Sequence, residues 1–155
     1  MSSVEVLVRA KKRPVVTVEP EAPMVAAAKL LAEHRIGLLM VVNKQGTFIG
    51  VLTERDIVKA VAAEKDLVHG AKVDDYVTKK VVACRPQTSV DDVFKTMQER
   101  GFRHMPVVDQ GKVIGVLSIG DVLKHMVMEA KDDNEAFRRR HLRSRRGSPR
   151  TSSIA

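Results

Sequence analysis

Gly50 to Val58 reads GVLTERDIV, and Gly115 to Leu123 reads GVLSIGDVL. In both, an apolar run ends in a hydroxyl residue with an aspartate three positions later, so one phrase stands twice in a chain of 155 residues. The match spreads outward from it. Val15 to Val42 (VVTVEPEAPMVAAAKLLAEHRIGLLMVV) aligns with Val81 to Val108 (VVACRPQTSVDDVFKTMQERGFRHMPVV) at an offset of 66, placing Pro20 on Pro86 and Glu33 on Glu99. The offset then drops to 65, because the turn NKQG (Asn43 to Gly46) is one residue longer than DQG (Asp109 to Gly111). Gly50, Thr53 and Asp56 thus meet Gly115, Ser118 and Asp121. Self-similarity of this kind marks an internal duplication.

Each copy reads strand, helix, strand, strand, helix. Val15 to Val18 is β-branched and stops at Glu19-Pro20, as a strand does. Met24, Ala27, Ala28 and Leu31 recur at helical spacing through His34, with Pro23 in the first turn. Leu38 to Val42 and Thr47 to Leu52 form a hairpin, and Ile57, Val58 and Val61 mark a second helix. In the second copy Thr88 or Ser89 caps the first helix, with Asp91 and Asp92 in its first turn. A unit of about 60 residues hides too little surface to be stable alone. The expected fold is therefore α+β, two pseudo-symmetric βαββα repeats packed through their sheets. The expected division is 4–69, with its lead-in, 70–128, and a basic extension over 129–155.

Composition narrows the function. Aromatics are 3% with no tryptophan, so the stacking surfaces of many single-strand nucleic-acid binders are missing. The apolar runs are too short for a membrane span, and the start MSSVEVLVRAKKR lacks the apolar region of a secretory signal. A cytoplasmic location is expected by default. The single Cys84 has no internal disulfide partner; followed by Arg85, it reads either as a thiol of lowered pKa or as a small core residue. His34, His69, His104, His125 and His141 form no metal-ligand spacing, and neither a GxSxG elbow nor a GxxxxGK loop is present. Nothing points to an enzyme.

The net charge of +8 is localised. Up to Phe137 there are 20 Lys and Arg against all 19 acidic residues, whereas the remainder carries seven arginines and no acid: Arg138, Arg139, Arg140, Arg143, Arg145, Arg146 and Arg150. Glu135 to Arg143 can extend the last helix; from Ser144 the composition need not fold alone. Such a tail can neutralise phosphates of RNA or DNA, bind an acidic protein, or merely solubilise.

Two readings fit the repeated phrase. TERD and SIGD both satisfy the capping-box pattern, which needs no ligand. The same atoms also suit a nucleotide: helix N-terminal amides with Thr53 or Ser118 for phosphate, and Asp56 or Asp121 for a ribose diol.

Taken together, VVTVEP…LLAEHRIGLLMVVNKQGTFIGVLTERDIV and VVACRP…TMQERGFRHMPVVDQGKVIGVLSIGDVL resemble a tandem pair of cystathionine β-synthase (CBS) domains, a Bateman module, over about Val4 to Met128. The resemblance implies a non-catalytic regulatory module, without a resident cofactor, that binds AMP, ADP or ATP as regulatory ligand and works as a homodimer or through a protein partner. It implies one site from Val16, Thr17, Ile36, Gly37, Thr53, Arg55 and Asp56. A second would use Val82, Ala83, Arg103, His104, Pro106, Ser118 and Asp121. The second copy has Gly120 in place of Arg55 and would draw positive charge from Arg103 or His104, while Met40 stands where the second copy has Pro106. S-adenosylmethionine, bound by some relatives, carries a sulfonium poorly matched to arginine. The alternative is a nucleic-acid-binding or scaffold protein that uses the arginine tail on a dimeric platform.

Overall fold

The computed structural model describes residues 2–11 and 13–146, with side chains through Arg143. α1 (Val4–Ala10) leads into β1 (Thr17–Val18), α2 (Met24–His34), β2 (Leu38–Val42), β3 (Phe48–Thr53) and α3 (Glu54–Ala62). A 3-10 turn at Val73–Asp75 precedes α4 (Val90–Arg100), β4 (His104–Asp109), β5 (Lys112–Ser118) and α5 (Ile119–Arg146). The architecture is α+β, with the helix, hairpin and second helix of each repeat in the same order.

Local chemistry explains the elements. α2 buries Met24, Ala27 and Leu31, one face at helical spacing, and α4 buries Val90, Val93 and Met97 in the same way. Ser89 Oγ accepts the Asp92 amide at 3.1 Å, capping α4. β2 and β3 pair antiparallel with a register shift at Val41/Val42, and β4 and β5 repeat that shift at the equivalent Val107/Val108. The first turn is tied by Asn43 Oδ1, which accepts the amides of Gln45 and Thr47.

The first strands of the two repeats differ. In the first, the Met40 amide donates to the Val16 carbonyl at 3.2 Å, and β1 pairs parallel with β2 in a three-stranded sheet. In the second, the residue equivalent to Met40 is Pro106, which has no N–H to offer Val82. There the pairing shrinks to an isolated bridge between Cys84 and Val107, held by Cys84 N–H to Pro106 O at 2.9 Å and Val108 N–H to Cys84 O at 2.8 Å. The strand expected at the start of the second copy is therefore absent, for want of one donor.

The cores are two clusters, and the lead-ins are exchanged between them. Val4 and Leu7 of α1 pack with Val90, Val93, Met97, Met105, Leu117 and Val122 of the second repeat, and α1 is tied there by Val4 N–H to Thr88 O at 2.8 Å. Ala71 and Val73, which precede the second repeat in sequence, are buried with Met24, Leu31, Leu39 and Leu52 of the first. Each valine, leucine or methionine among them contributes about 1.5–3 kcal/mol on full burial. Sequence order groups Val4–Val8 with the first repeat and 70–78 with the second; packing does the reverse.

This exchange explains the repeated glycine. The connector crosses Gly50, where a Cβ would overlap the Thr78 carbonyl oxygen, and α1 crosses Gly115, where a Cβ would lie 3.0 Å from Val8 Cγ1. The two hairpins also touch at their turns, where Phe48 N–H donates to Gly111 O at 3.0 Å.

α5 runs unbroken through Met128 to Arg146, so the extension is helical as far as described. Residues 147–155, including Arg150, lie outside the described residues, as do the side chains of Arg145 and Arg146. Among the described residues, no helix is long and apolar enough to cross a membrane.

Candidate functional site

Both repeated phrases fold as capping boxes at strand-to-helix junctions. Thr53 donates its amide (2.8 Å) and hydroxyl (3.1 Å) to Asp56 Oδ2. The Ser118 amide donates to Asp121 Oδ2 at 2.9 Å, and the Asp121 amide donates to Ser118 Oγ at 3.0 Å. Each helix entry is further pinned to the strand before it: Glu54 N–H bonds Gly37 O at 3.0 Å, and Ile119 N–H bonds Arg103 O at 2.8 Å. Amides of Ile119 and Asp121 are thus already spent within the protein. That weakens the helix N-terminus as a phosphate site and leaves attraction for an anion to side chains.

The surroundings of the two aspartates differ. Asp56 is 7% exposed, whereas Asp121 is half-buried and opens on a cleft of about 1000 Å³ between the repeats. Lys11, just past α1, donates from Nζ to Asp121 Oδ2 at 2.9 Å and to the Val116 carbonyl at 2.8 Å. Burial alone would raise the Asp121 pKa, but the Lys11 ammonium and the Ser118 donors outweigh it and hold the carboxyl below its ordinary range.

The cleft collects side chains across the repeat boundary. Val16, Ile36 and Gly37 of the first repeat face His104, Ser118 and Asp121 of the second, with Met40 and Val116 in the walls. The cleft thus draws on both repeats: the exchanged lead-in brings the first strand of one repeat to the helix cap of the other. Thr17 and Arg55 are exposed, and Thr53, Arg55 and Asp56 lie at the other junction, outside this cleft. Val82 packs on the second core, Ala83 and Arg103 are exposed, and the Pro106 carbonyl serves the Cys84 amide; none of these four lines the cleft.

Its cations are Lys11, Arg13 and Arg35, set against the single carboxylate of Asp121. Sequence reasoning missed all three. KKR at 11–13 stood upstream of the repeat and showed no periodicity to place it, but Arg35 carried a legible signal. It aligns with Gly101, which ends α4 at φ 68°, and it holds the same left-handed conformation at φ 53°. An arginine where the duplicate has glycine keeps a conformation that disfavours a side chain, and such positions point to function.

His104 also lines the cleft. Partial burial, then the positive charges of Lys11 and Arg103, lower its pKa against an opposing pull from Asp121, so the imidazole is neutral near pH 7. Cys84 is buried, and burial pushes its thiol up to about 11, so it is the core residue and not a reactive thiol.

With this geometry in view, a family model described as CBS domain matches residues 8–63 and 73–128. The chain belongs to the CBS domain family. CBS domain pairs are regulatory modules without catalytic machinery, and among the described residues no cluster of His, Cys, Asp and Glu is arranged to hold a metal ion. An uncharacterized 17.7 kDa protein of Acidianus ambivalens is 38% identical over 114 residues, which cover 73% of this chain and 68% of that protein. The chain spans only 39% of the length of another relative, the uncharacterized protein MJ1225 of Methanocaldococcus jannaschii, at 31% identity over 71% of this chain.

Among solved structures, a CBS-domain containing protein of Agrobacterium tumefaciens is 38% identical with a TM-score of 0.70, covering 81% of this chain and 99% of that one. The CBS domain pair of protein MJ0100, solved in complex with 5′-methylthioadenosine and S-adenosyl-L-methionine, is 25% identical with a TM-score of 0.70, covering 83% and 98%.

Proposed function

We propose that this CBS pair is a sensor of adenosine nucleotides, AMP, ADP or ATP, and that the cleft closed by Ser118–Asp121 is the working site. The observation that carries the reading is the composition of that cleft: apolar walls from Val16, Ile36 and Met40, one carboxylate suited to a ribose diol, and Lys11, Arg13 and Arg35 for phosphate. Its support from outside the chain is the related MJ0100 pair, whose ligands both carry adenosine. Ligand state would pass to a second copy or to a partner protein.

The test is calorimetric titration of the full chain with AMP, ADP and ATP, repeated on Asp121→Ala and Asp56→Ala. Micromolar binding, a free energy of about −8 kcal/mol, lost in Asp121→Ala and kept in Asp56→Ala, is the expected result. Loss in Asp56→Ala alone would move the working site to the other junction. Flat heats with folded protein would leave both aspartates as helix caps.

One observation favours a second reading. Arg138, Arg139, Arg140 and Arg143 are exposed on the outer part of α5, where they could meet RNA, DNA or an acidic protein. Truncation after Phe137 should then abolish a salt-sensitive affinity for RNA or DNA; retention of that affinity would remove the reading.

A further inference from the structure

Lys11 joins the end of α1 to the mouth of the cleft. Its Nζ bonds Asp121 Oδ2, the oxygen that also takes the Ser118 amide, and the Val116 carbonyl fixes the ammonium from the other side. Both members of the ion pair are about a third exposed, 32% for Lys11 and 35% for Asp121, so a molecule entering the cleft reaches them. The other aspartate has no such partner. Asp56 Oδ2 is bonded by Thr53, and Lys80, which the matching lead-in bonds (Val4 N–H to Thr88 O, Val73 N–H to Ala22 O) set opposite Lys11, is exposed and makes no hydrogen bond to Asp56. The ion pair is therefore made at this junction and not at its duplicate.

We propose that Lys11 makes the cleft selective for phosphate-bearing ligands: it occupies the carboxylate a ribose diol would use, and it yields that carboxylate to a ligand that offers the ammonium an anion in exchange. The inference rests on the adenosine-site reading and adds the rule by which that site discriminates. A nucleoside that takes Asp121 breaks a charge-assisted bond and returns nothing for it. A nucleotide moves the ammonium from carboxylate to phosphate, so the number of charge-assisted contacts is kept. The long, flexible lysine stem, with its three donors, permits this transfer while α1 stays packed on the second core. A sulfonium ligand would add a like charge beside Lys11, Arg13 and Arg35.

The experiment titrates the full chain and its Lys11→Met and Lys11→Arg variants with ATP, AMP, adenosine and S-adenosylmethionine. Lys11→Met should weaken ATP by about tenfold or more, the size of one charge-assisted contact, while adenosine binds as well as before or better. Lys11→Arg should keep the preference of the natural chain. A purely structural role would move every ligand in the same direction, so equal shifts across the panel, or an unchanged ATP-to-adenosine ratio in Lys11→Met, overturn the proposal and leave the adenosine site standing. No heat from any ligand with the natural chain overturns both. If Lys11→Met is unfolded by circular dichroism, Lys11→Gln replaces it in the same comparison.

Discussion

Val51 and Thr78 exchange both of their backbone hydrogen bonds, at 3.0 and 2.9 Å, which lays the connector flat across Gly50. A side chain at Gly50 would overlap backbone, whereas one at Gly115 would press on the two Val8 methyls at 3.0 and 3.1 Å without overlapping backbone. Gly50→Ala should therefore destabilise by about 1–3 kcal/mol, and Gly115→Ala by clearly less. Urea denaturation of the two variants checks the order; equal losses would contradict the account of the exchanged lead-ins.

Met40→Pro should erase the difference between the two sheets. It removes the donor to Val16 O and leaves that carbonyl without its strand partner, at a cost of about 1–3 kcal/mol. The amide of Val18 should keep its protection, as Cys84 N–H stays on the Pro106 carbonyl at 2.9 Å, while β1 shrinks to a bridge around it. Hydrogen exchange by NMR reads this directly.

Arg35→Gly should separate stability from binding. Glycine adopts the φ 53° conformation freely, so the fold should be unchanged or gain up to about 1 kcal/mol. Anion affinity of the cleft should fall. A variant that is less stable, or one that binds ATP as the natural chain does, would show that Arg35 is held there for packing.

His104 sets a pH dependence. Its pKa is lowered in the fold by burial and by Lys11 and Arg103, so the folded protein prefers the neutral ring. Its contribution is fully present above the unfolded value of about 6.5 and is lost as pH falls from there toward the folded pKa. Thermal midpoints across pH 5 to 8 should drop on the acid side, and His104→Gln should flatten that drop.

The duplication made most of the fold legible. Offsets of 66 and 65 put glycine on glycine and cap on cap, and the hairpins, helices and both capping boxes follow from periodicity and short-range hydrogen bonding. What stayed hidden was long-range. Val4 and Leu7 read as an ordinary apolar lead-in, and nothing within a window of their own sequence says that their partners are Val90 and Leu117. For the same reason Lys11 was invisible as the partner of Asp121, 110 residues away. Pro106 carried a legible signal, a missing N–H within a paired strand, and its consequence is the loss of the strand beside it.

The cap that closes the cleft is also the first turn of a helix 28 residues long. At 1.5 Å per residue that is a rod of about 42 Å, and tilting it by about 10° around Ser118 would sweep its far end through about 7 Å. A shift too small to notice at Asp121 is thus geometrically magnified at the arginines, in the way a short handle moves a long pointer.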